Sequence, residues 1–334
     1  MTVSVHIVTW NSQSFLPALR RSLESQTHQP ERIIVIDNNS TDGTLDGLAD
    51  WPGIHVLRQT RNLGFARAHN QAINLSRSQA VLVTNPDVIL EPSCLAALVD
   101  ALERDLRLGS VTPKIRRFSH TSDDLREPVR SATIDAAGMV VRRSRQALNR
   151  AEGSDDRGQV DQPIDVFGAP GVLALYRRQA LNDVAFGREY FDEDFFAYKE
   201  DVDVAWRLRW AGWGSRYVPA ARAYHYRTLD HHQDRLTKLV ATRSRRSPTL
   251  RYLSYRNHLL MLIKNETIGT LLPHLPFIAW YELRKFLFAA VREWSTLRGL
   301  VDALRLAPRM LRKRRVVTER RRLSASSMRR LISP

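Results

Sequence analysis

The sequence predicts an α/β fold: a mixed, mostly parallel sheet with helices on both faces, plus a basic helical C-terminal extension. Three observations carry this. Short, near-continuous apolar runs alternate with amphipathic segments over the first 110 residues, as parallel strands covered on both faces require. The polar stretches TWNS, DNNSTD, RNLG and NPDV each fall where such a strand ends. Charge is also segregated: residues 1–230 hold 28 Lys and Arg against 29 Asp and Glu, and residues 231–334 hold 23 against 6.

The elements follow in order. VSVHIVTW (3–10) is a β-branched apolar run ending in Asn11-Ser12, which predicts a buried strand leading to a helix cap. Phe15, Leu16, Leu19 and Leu23 then recur at helical spacing. RIIVIDNNS (32–40) reads as a second strand broken by turn residues, TLDGLADW as a helix, IHVLRQ as a third strand and GFARAHNQAINLS as a third helix. AVLVTN is a fourth strand, followed by the helix SCLAALVDALE. From 111 to 166 polar residues dominate, which suggests loops and an antiparallel extension. VFGAPGVLALYRRQALNDV restores order as a strand and short helix. Asp201–Trp210 is expected to be helical, with Val202, Ala205, Trp206 and Arg209 on one stripe and Glu200 and Asp201 in its first turn, where the dipole favours anions.

Composition excludes several classes. The single cysteine, Cys94, leaves no disulfide framework and no Cys-based zinc site, and reads as a small core residue. Neither GxGxxG after the first strand nor GxxxxGK[ST] is present, against dinucleotide and P-loop readings. The net charge of +16 suggests nucleic acid, but no zinc spacing, RNP-like motif or recognition-helix pattern accompanies it. The N-terminus lacks a basic segment followed by a long apolar one, so cytoplasmic residence is expected.

In open parallel sheets, ligands sit beyond the carboxyl ends of the strands, where these four polar loops gather. TWNS, DNNSTDGT, RNLGFARAHNQAI, NPDV and FDEDFFAYKEDVDVAWRLRWAGW, followed by a histidine, together resemble the family 2 glycosyltransferases. These are inverting, nucleotide-sugar-dependent enzymes of the Rossmann-like GT-A fold, the fold of nucleotide-diphospho-sugar transferases. Among them the chain looks most like bacterial rhamnosyltransferases of cell-surface polysaccharide synthesis. The likeness runs from about residue 2 to 228 and more loosely through YLSYRNHLLMLIKN (252–265).

The resemblance implies roles by position. Many members carry Asp-x-Asp where the metal–diphosphate of the donor binds; here the triplet is Asn85-Pro86-Asp87, as in the rhamnosyltransferase-like subgroup. Asp87 is then the metal anchor, with His225 in AYHYRT as a further ligand. Mg²⁺ tolerates one or two protein carboxylates, and an imidazole tilts the preference toward Mn²⁺. Asp201 is implied as the base, with Glu200 supporting it, and two adjacent desolvated acids raise each other's pKa. Thr9, Trp10, Asn11, Asp37, Asn39, Arg61, Asn62, Gly64 and Asn85 are implied to bind the nucleotide-sugar. Asp37 would accept a pyrimidine N3–H, and Gly64 would let backbone approach ribose or phosphates. FGAPGVLAL would face the donor sugar or acceptor. Thymine and uracil share the N3 edge, so dTDP-L-rhamnose and UDP-linked GlcNAc, galactose or glucose both stand as donors. A catalytically silent member of the fold is the remaining alternative.

The expected organisation is a catalytic domain over 1–230, with a nucleotide half (1–110) and an acceptor half (111–230), then a membrane-associating extension over 231–334. The apolar stretch 259–291 is interrupted by Lys264, Glu266, Glu282, Arg284 and Lys285, which disfavours a spanning helix and suits interfacial segments on an anionic leaflet. A polyprenyl-diphosphate-linked saccharide acceptor at the inner face of the plasma membrane would explain that anchor. A solvated hairpin packed on the catalytic domain, or a dimer contact, is the competing reading.

Overall fold

β1 (Val3–Thr9), β2 (Arg32–Asp37), β3 (Ile54–Arg58) and β4 (Ala80–Thr84) pair in parallel in the order β3-β2-β1-β4. The computed structural model describes residues 1–119, 129–227 and 247–332. Alternate strand residues point to opposite faces, and both faces are covered. Val3, Val5 and Ile7 of β1 pack with α1 (Leu16–Glu24) and α4 (Cys94–Arg104), where Cys94 is buried. Ile34 and Ile36 of β2 meet Ala68 and Ala72 of α3 (Gly64–Leu75) on the other side. The short α2 (Thr44–Ala49) follows β2. The chain crosses from one side of β1 to the other before β4, so a crevice opens at the carboxyl ends of β1 and β4.

The sheet continues through strands that the polar composition of 111–166 concealed. They are β5 (Val88–Leu90), β6 (Leu108–Ser119), β7 (Val129–Ala136), the hairpin β8 (Met139–Val141) and β9 (Ala147–Asn149), β10 (Ile164–Asp165), β11 (Leu173–Arg177) and β12 (Gly214–Tyr226). β11 runs antiparallel between β4 and β6, and β12 runs parallel to β6 while pairing β5 and β10 in the opposite sense. The expected antiparallel extension is present, but much of the expected loop is strand. Its polar residues are neutralised by pairing: buried Lys114 on β6 meets Asp156 and Asp161. The helix α5 (Arg178–Val184) follows β11 as the sequence suggested.

α6 (Glu200–Trp210) is buried on nearly every side, not along one stripe. Val202, Ala205, Trp206 and Trp210 pack toward the C-terminal helices, and Val204 and Leu208 toward the sheet. Arg207 pairs with Asp203 at 2.9 Å, and Arg209 donates to the carbonyl of Phe167 at 2.9 Å.

The C-terminal region forms α7 (Pro248–Asn265), α8 (Ile268–Leu271), α9 (Leu275–Arg292), α10 (Trp294–Glu319) and α11 (Ala325–Arg330). It is not a separate appendage: Leu260, Met261, Ala303, Met310 and Met328 share one core with Met139, Phe167, Phe195 and Trp206. Lys264 is fully buried against Asp192 and Asp203, and Lys313 reaches Glu189, Asp192 and Asp194. Part of the basic excess is therefore spent on internal pairs. The break expected near residue 230 divides the charge but not this core, because residues 189–203 offer acids that Lys264 and Lys313 neutralise. The cluster Arg243, Arg245 and Arg246 lies outside the described residues.

Candidate active site

The loops at the ends of β1, β2 and β4 are tied to one another by side chains. Asp37 accepts a hydrogen bond from the Thr9 hydroxyl at 2.9 Å and from the Ser40 amide at 3.0 Å. Its carboxylate is fully enclosed, so it joins the ends of β1 and β2 and is closed to a base. The expected contact with a pyrimidine N3–H does not fit that burial. The polar rim that remains open is formed by Trp10, Asn11 and Asn39. Trp10 is 60% exposed. Asn11 and Asn39 both take left-handed backbone, at φ 50° and 64°, which Asn tolerates better than most residues. The Asn11 side-chain carbonyl accepts from the Thr41 amide at 2.8 Å, bridging the first two loops.

In the RNLG turn, the Asn62 side chain accepts from the Gly64 amide at 2.8 Å while Arg61 is exposed. Gly64 sits at φ +78°, and a Cβ there would lie 2.5 Å from the carbonyl oxygen of Phe196. The close approach that requires glycine is therefore to protein backbone, where a phosphate or ribose was expected. Asn38, which sequence reasoning passed over, accepts from the Leu63 amide at 3.2 Å and donates to the Gly64 carbonyl at 3.3 Å.

Asp87 follows β4, and the β5–β12 ladder sets it beside His225: the Tyr226 amide donates to the Asp87 carbonyl at 3.0 Å. His225 Nε2 lies 3.3 Å from Asp87 Oδ1, and Nδ1 lies 2.8 Å from Asp135 Oδ2. Burial would lower the His225 pKa, but the charge of Asp87, then the Asp135 and Asp87 contacts, raise it to about 9. Burial would raise Asp135, yet the His225 hydrogen bond and charge, with Arg227 and Arg117, hold it at about 2. Asp135 lies 90 residues from His225 in the chain, and no local pattern in the sequence announces it.

These residues fit a divalent cation. Asp87 Oδ1 is buried and faces His225 Nε2 at 3.3 Å, a pair that a cation could bridge once the imidazole gives up its proton. An imidazole nitrogen stands next to it, and the other nitrogen is oriented by a carboxylate, as metal-ligating histidines usually are. Among the described residues no three His, Cys, Asp or Glu side chains form a complete metal cage. A cation on this pair therefore needs substrate oxygens and water to fill its shell.

Asp201 opens α6. Its Oδ2 accepts from the Gly171 amide at 3.0 Å and its Oδ1 from the Val202 amide at 2.8 Å. Glu200 is buried with Oε2 unpartnered among the described residues, and burial first, then the Asp201 charge, pushes its carboxyl well up. Asp203, given no role from sequence, turns inward to Arg207, Lys264 and Asn265.

The two halves meet. The Asn85 amide donates to the Val172 carbonyl at 3.0 Å, and the neighbouring Gly171 holds Asp201. A Cβ at Gly171 would sit 3.3 Å from Asp201 Cβ and 3.6 Å from Phe65 Cζ, so the residue after the RNLG turn also borders this point. Asn85 and Asp201 are thus each bonded to the segment Gly171–Val172 across the edge between β4 and β11; Asp87 lies two residues beyond Asn85, and His225 meets it from β12.

A four-stranded parallel sheet continued by antiparallel strands, with helices on both faces, is a GT-A-type fold. The chain belongs to glycosyl transferase family 2, whose model matches residues 4–185, and it is a glycosyltransferase. It is 30% identical over 250 residues to N-acetylglucosaminyl-diphospho-decaprenol L-rhamnosyltransferase of Mycobacterium tuberculosis, covering 70% of this chain and 79% of that protein. It is 26% identical over 204 residues to poly-beta-1,6-N-acetyl-D-glucosamine synthase of Staphylococcus aureus, covering 59% of this chain and 43% of that one. Among solved structures, GalNAc-T7 with UDP, GalNAc and Mn²⁺ superposes with a TM-score of 0.59 at 17% identity, over 79% of this chain and 48% of that one. TarS of S. aureus with UDP-GlcNAc gives 0.53 at 16% identity, over 99% and 93%. At these identities the structures speak to the fold.

Proposed function

We propose that this enzyme transfers L-rhamnose from dTDP-L-rhamnose, with inversion, to a hydroxyl of a polyprenyl-diphosphate-linked saccharide in cell-envelope polysaccharide synthesis. The observation that supports the proposal is that Asp201 and Asn85 are bonded to adjacent residues, Gly171 and Val172, while Asp87, two residues beyond Asn85, pairs with His225. The donor and acceptor classes rest on the mycobacterial relative, whose name states both a rhamnosyl transfer and a diphospho-decaprenol acceptor. A GlcNAc transfer from UDP-GlcNAc is the second reading, favoured by the staphylococcal relative.

Trp10, Asn11 and Asn39 border the nucleobase, and the enclosed Asp37 and Thr9 fix their loops. Arg61, Asn62 and Gly64 shape the adjoining turn. Asp87 and His225 would hold Mg²⁺ or Mn²⁺ and, through it, the donor diphosphate beside Asn85. When bound, such a cation offsets the negative charge that develops on the departing diphosphate. Asp201 takes the proton of the acceptor hydroxyl as its oxygen bonds to the anomeric carbon and the bond to diphosphate oxygen breaks. A positioned base of this kind contributes about 10²–10⁴-fold. Glu200, whose carboxyl burial and the neighbouring Asp201 charge push up, supports Asp201 from the adjoining position.

The cytoplasmic, inner-leaflet placement is part of the same proposal. None of the helices among the described residues is long and apolar enough to cross a membrane. α9, by contrast, buries only Ile278 and Ala289 and exposes an apolar face.

The test is turnover and thermal stabilisation with dTDP-rhamnose, UDP-GlcNAc and GDP-mannose, each with and without Mn²⁺. A ligand that binds only the folded state raises the melting temperature. The proposal expects a cation-dependent rise and turnover with dTDP-rhamnose above the others; no response to any nucleotide sugar overturns it.

A further inference from the structure

The segment leading into the catalytic acids follows an unusual path. Phe196, Tyr198 and Lys199 adopt left-handed backbone at φ 62°, 70° and 72°. Non-glycine residues hold this conformation only where surroundings impose it. Two of these side chains, Phe196 and Tyr198, are exposed, so packing of their own rings does not impose it.

The backbone carbonyls supply the restraint. The amide nitrogen of buried Asn257 on α7 shares its two N–H groups among the carbonyls of Phe195 at 2.8 Å, Ala197 at 2.8 Å and Tyr198 at 2.7 Å. Arg256 donates to the Asp194 carbonyl at 2.8 Å and the Phe195 carbonyl at 3.3 Å. Arg256 Nε also donates to Asn257 Oδ1 at 3.0 Å, which orients the amide. From the nucleotide side, the Ala66 amide donates to the Phe196 carbonyl at 3.1 Å. Five consecutive carbonyls, 194 to 198, are therefore held: four by α7 and one by α3. Lys199 then caps α6, and Glu200 and Asp201 follow immediately.

We propose that Asn257, oriented by Arg256, is a positioning residue for sugar transfer: it clamps residues 194–198 so that Asp201 meets Gly171 and the donor turn. The C-terminal helices thereby complete the active site from a distance. Asn257 touches no reacting atom; it acts through the backbone that delivers Asp201. This rests on the reading of Asp201 as the base.

The full-length chain is compared with Asn257→Ala and Arg256→Ala. Three quantities are read: affinity for dTDP and UDP with Mn²⁺, amide hydrogen exchange over 196–203, and kcat and donor KM with the donor that the wild type turns over. Misplacement of a catalytic group by an ångström costs on the order of 100-fold, so Asn257→Ala is expected to lower kcat by about 30-fold or more. Nucleotide affinity and KM are expected to stay within about threefold, because the donor loops are built from other elements. Exchange over 196–203 is expected to rise by about tenfold or more as the local opening becomes easier. Arg256 is only partly buried, so Arg256→Ala keeps the test decisive if the other variant folds poorly; a kcat loss of about fivefold with unchanged nucleotide affinity is expected. Unchanged kcat and exchange in the folded variants overturn the proposal, as does a kcat loss matched by lost nucleotide affinity. A wild type inactive with every donor overturns the reading of Asp201 instead, and the exchange measurement then decides the clamp alone.

Discussion

Gly64 shows how one residue type couples two halves of a site. Its positive φ and the 2.5 Å approach of an added Cβ to the Phe196 carbonyl are independent reasons for glycine. Gly53 has a similar φ, +79°, but open space around it. Gly64→Ala should therefore cost about 1–3 kcal/mol more than the left-handed strain of about 1–2 kcal/mol expected for Gly53→Ala. Urea unfolding of both variants measures this, and equal midpoints would remove the steric argument. Asp87, Asp201 and His225 could be proposed from sequence because each sits in a short ordered motif. Asp135, Asn38 and Asn257 were not, because each acts on a partner remote in the chain. Asp37 was visible but misread: a carboxylate at a strand end looks the same in sequence whether it faces a ligand or ties two loops.

At the scale of elements, the strands and helices of the first 110 residues follow their periodicity closely, since each buries a regular apolar set. β6 escaped notice because its charged residues are neutralised by acids some 40 residues away, Lys114 by Asp156 and Asp161. α9 presents a separate problem. Trp280, Leu283, Leu287 and Val291 recur at helical spacing, continue into Trp294 and are all exposed, while Arg284 and Arg292 flank them. An exposed apolar stripe with cationic borders suits insertion into an anionic interface. Cosedimentation with phosphatidylglycerol vesicles should exceed that with phosphatidylcholine vesicles. Replacing Trp280 and Leu287 by Glu should weaken it by about tenfold or more, given the apolar area withdrawn. Equal sedimentation of the double variant would assign this face to something other than lipid.

For the whole molecule, the C-terminal helices pack onto α6, the β8 hairpin and residues 167–195 through a shared core and buried ion pairs. Its stability should depend on acid in a defined window. His6 and His69 are fully buried without hydrogen-bond partners among the described residues; burial, joined for His6 by the His69 and Arg178 charges, lowers both, His69 to about 3. Burial likewise lowers His258, to about 4. In the unfolded chain each takes up a proton near pH 6.5. The folded state does not, so the contribution of these three is complete above about pH 6.5 and falls as pH drops toward the folded values, by up to about 1.4 kcal/mol per unit per histidine. His225, raised to about 9, acts in the opposite sense: between about pH 6.5 and 9 only the folded state holds its proton, so its contribution is complete below that range and lost as pH rises through it. Denaturant midpoints at pH 6.5, 6 and 5, below the range in which His225 contributes a slope, should decline steadily, and His69→Leu should flatten the decline. A midpoint unchanged down to pH 5 would contradict the neutral buried histidines.

The central claim is that Asp201 removes a proton while Asp87 and His225 serve the donor, and one comparison tests it most directly. Asp201→Asn and Asp87→Ala are measured beside the wild type for both dTDP-rhamnose turnover and Mn²⁺-dependent dTDP binding. Loss of the base should cost about 10²–10⁴-fold in kcat. The account predicts that Asp201→Asn loses turnover with nucleotide binding intact, whereas Asp87→Ala loses the cation dependence of binding. Turnover surviving in Asp201→Asn, or dTDP binding lost in it and preserved in Asp87→Ala, would contradict the account.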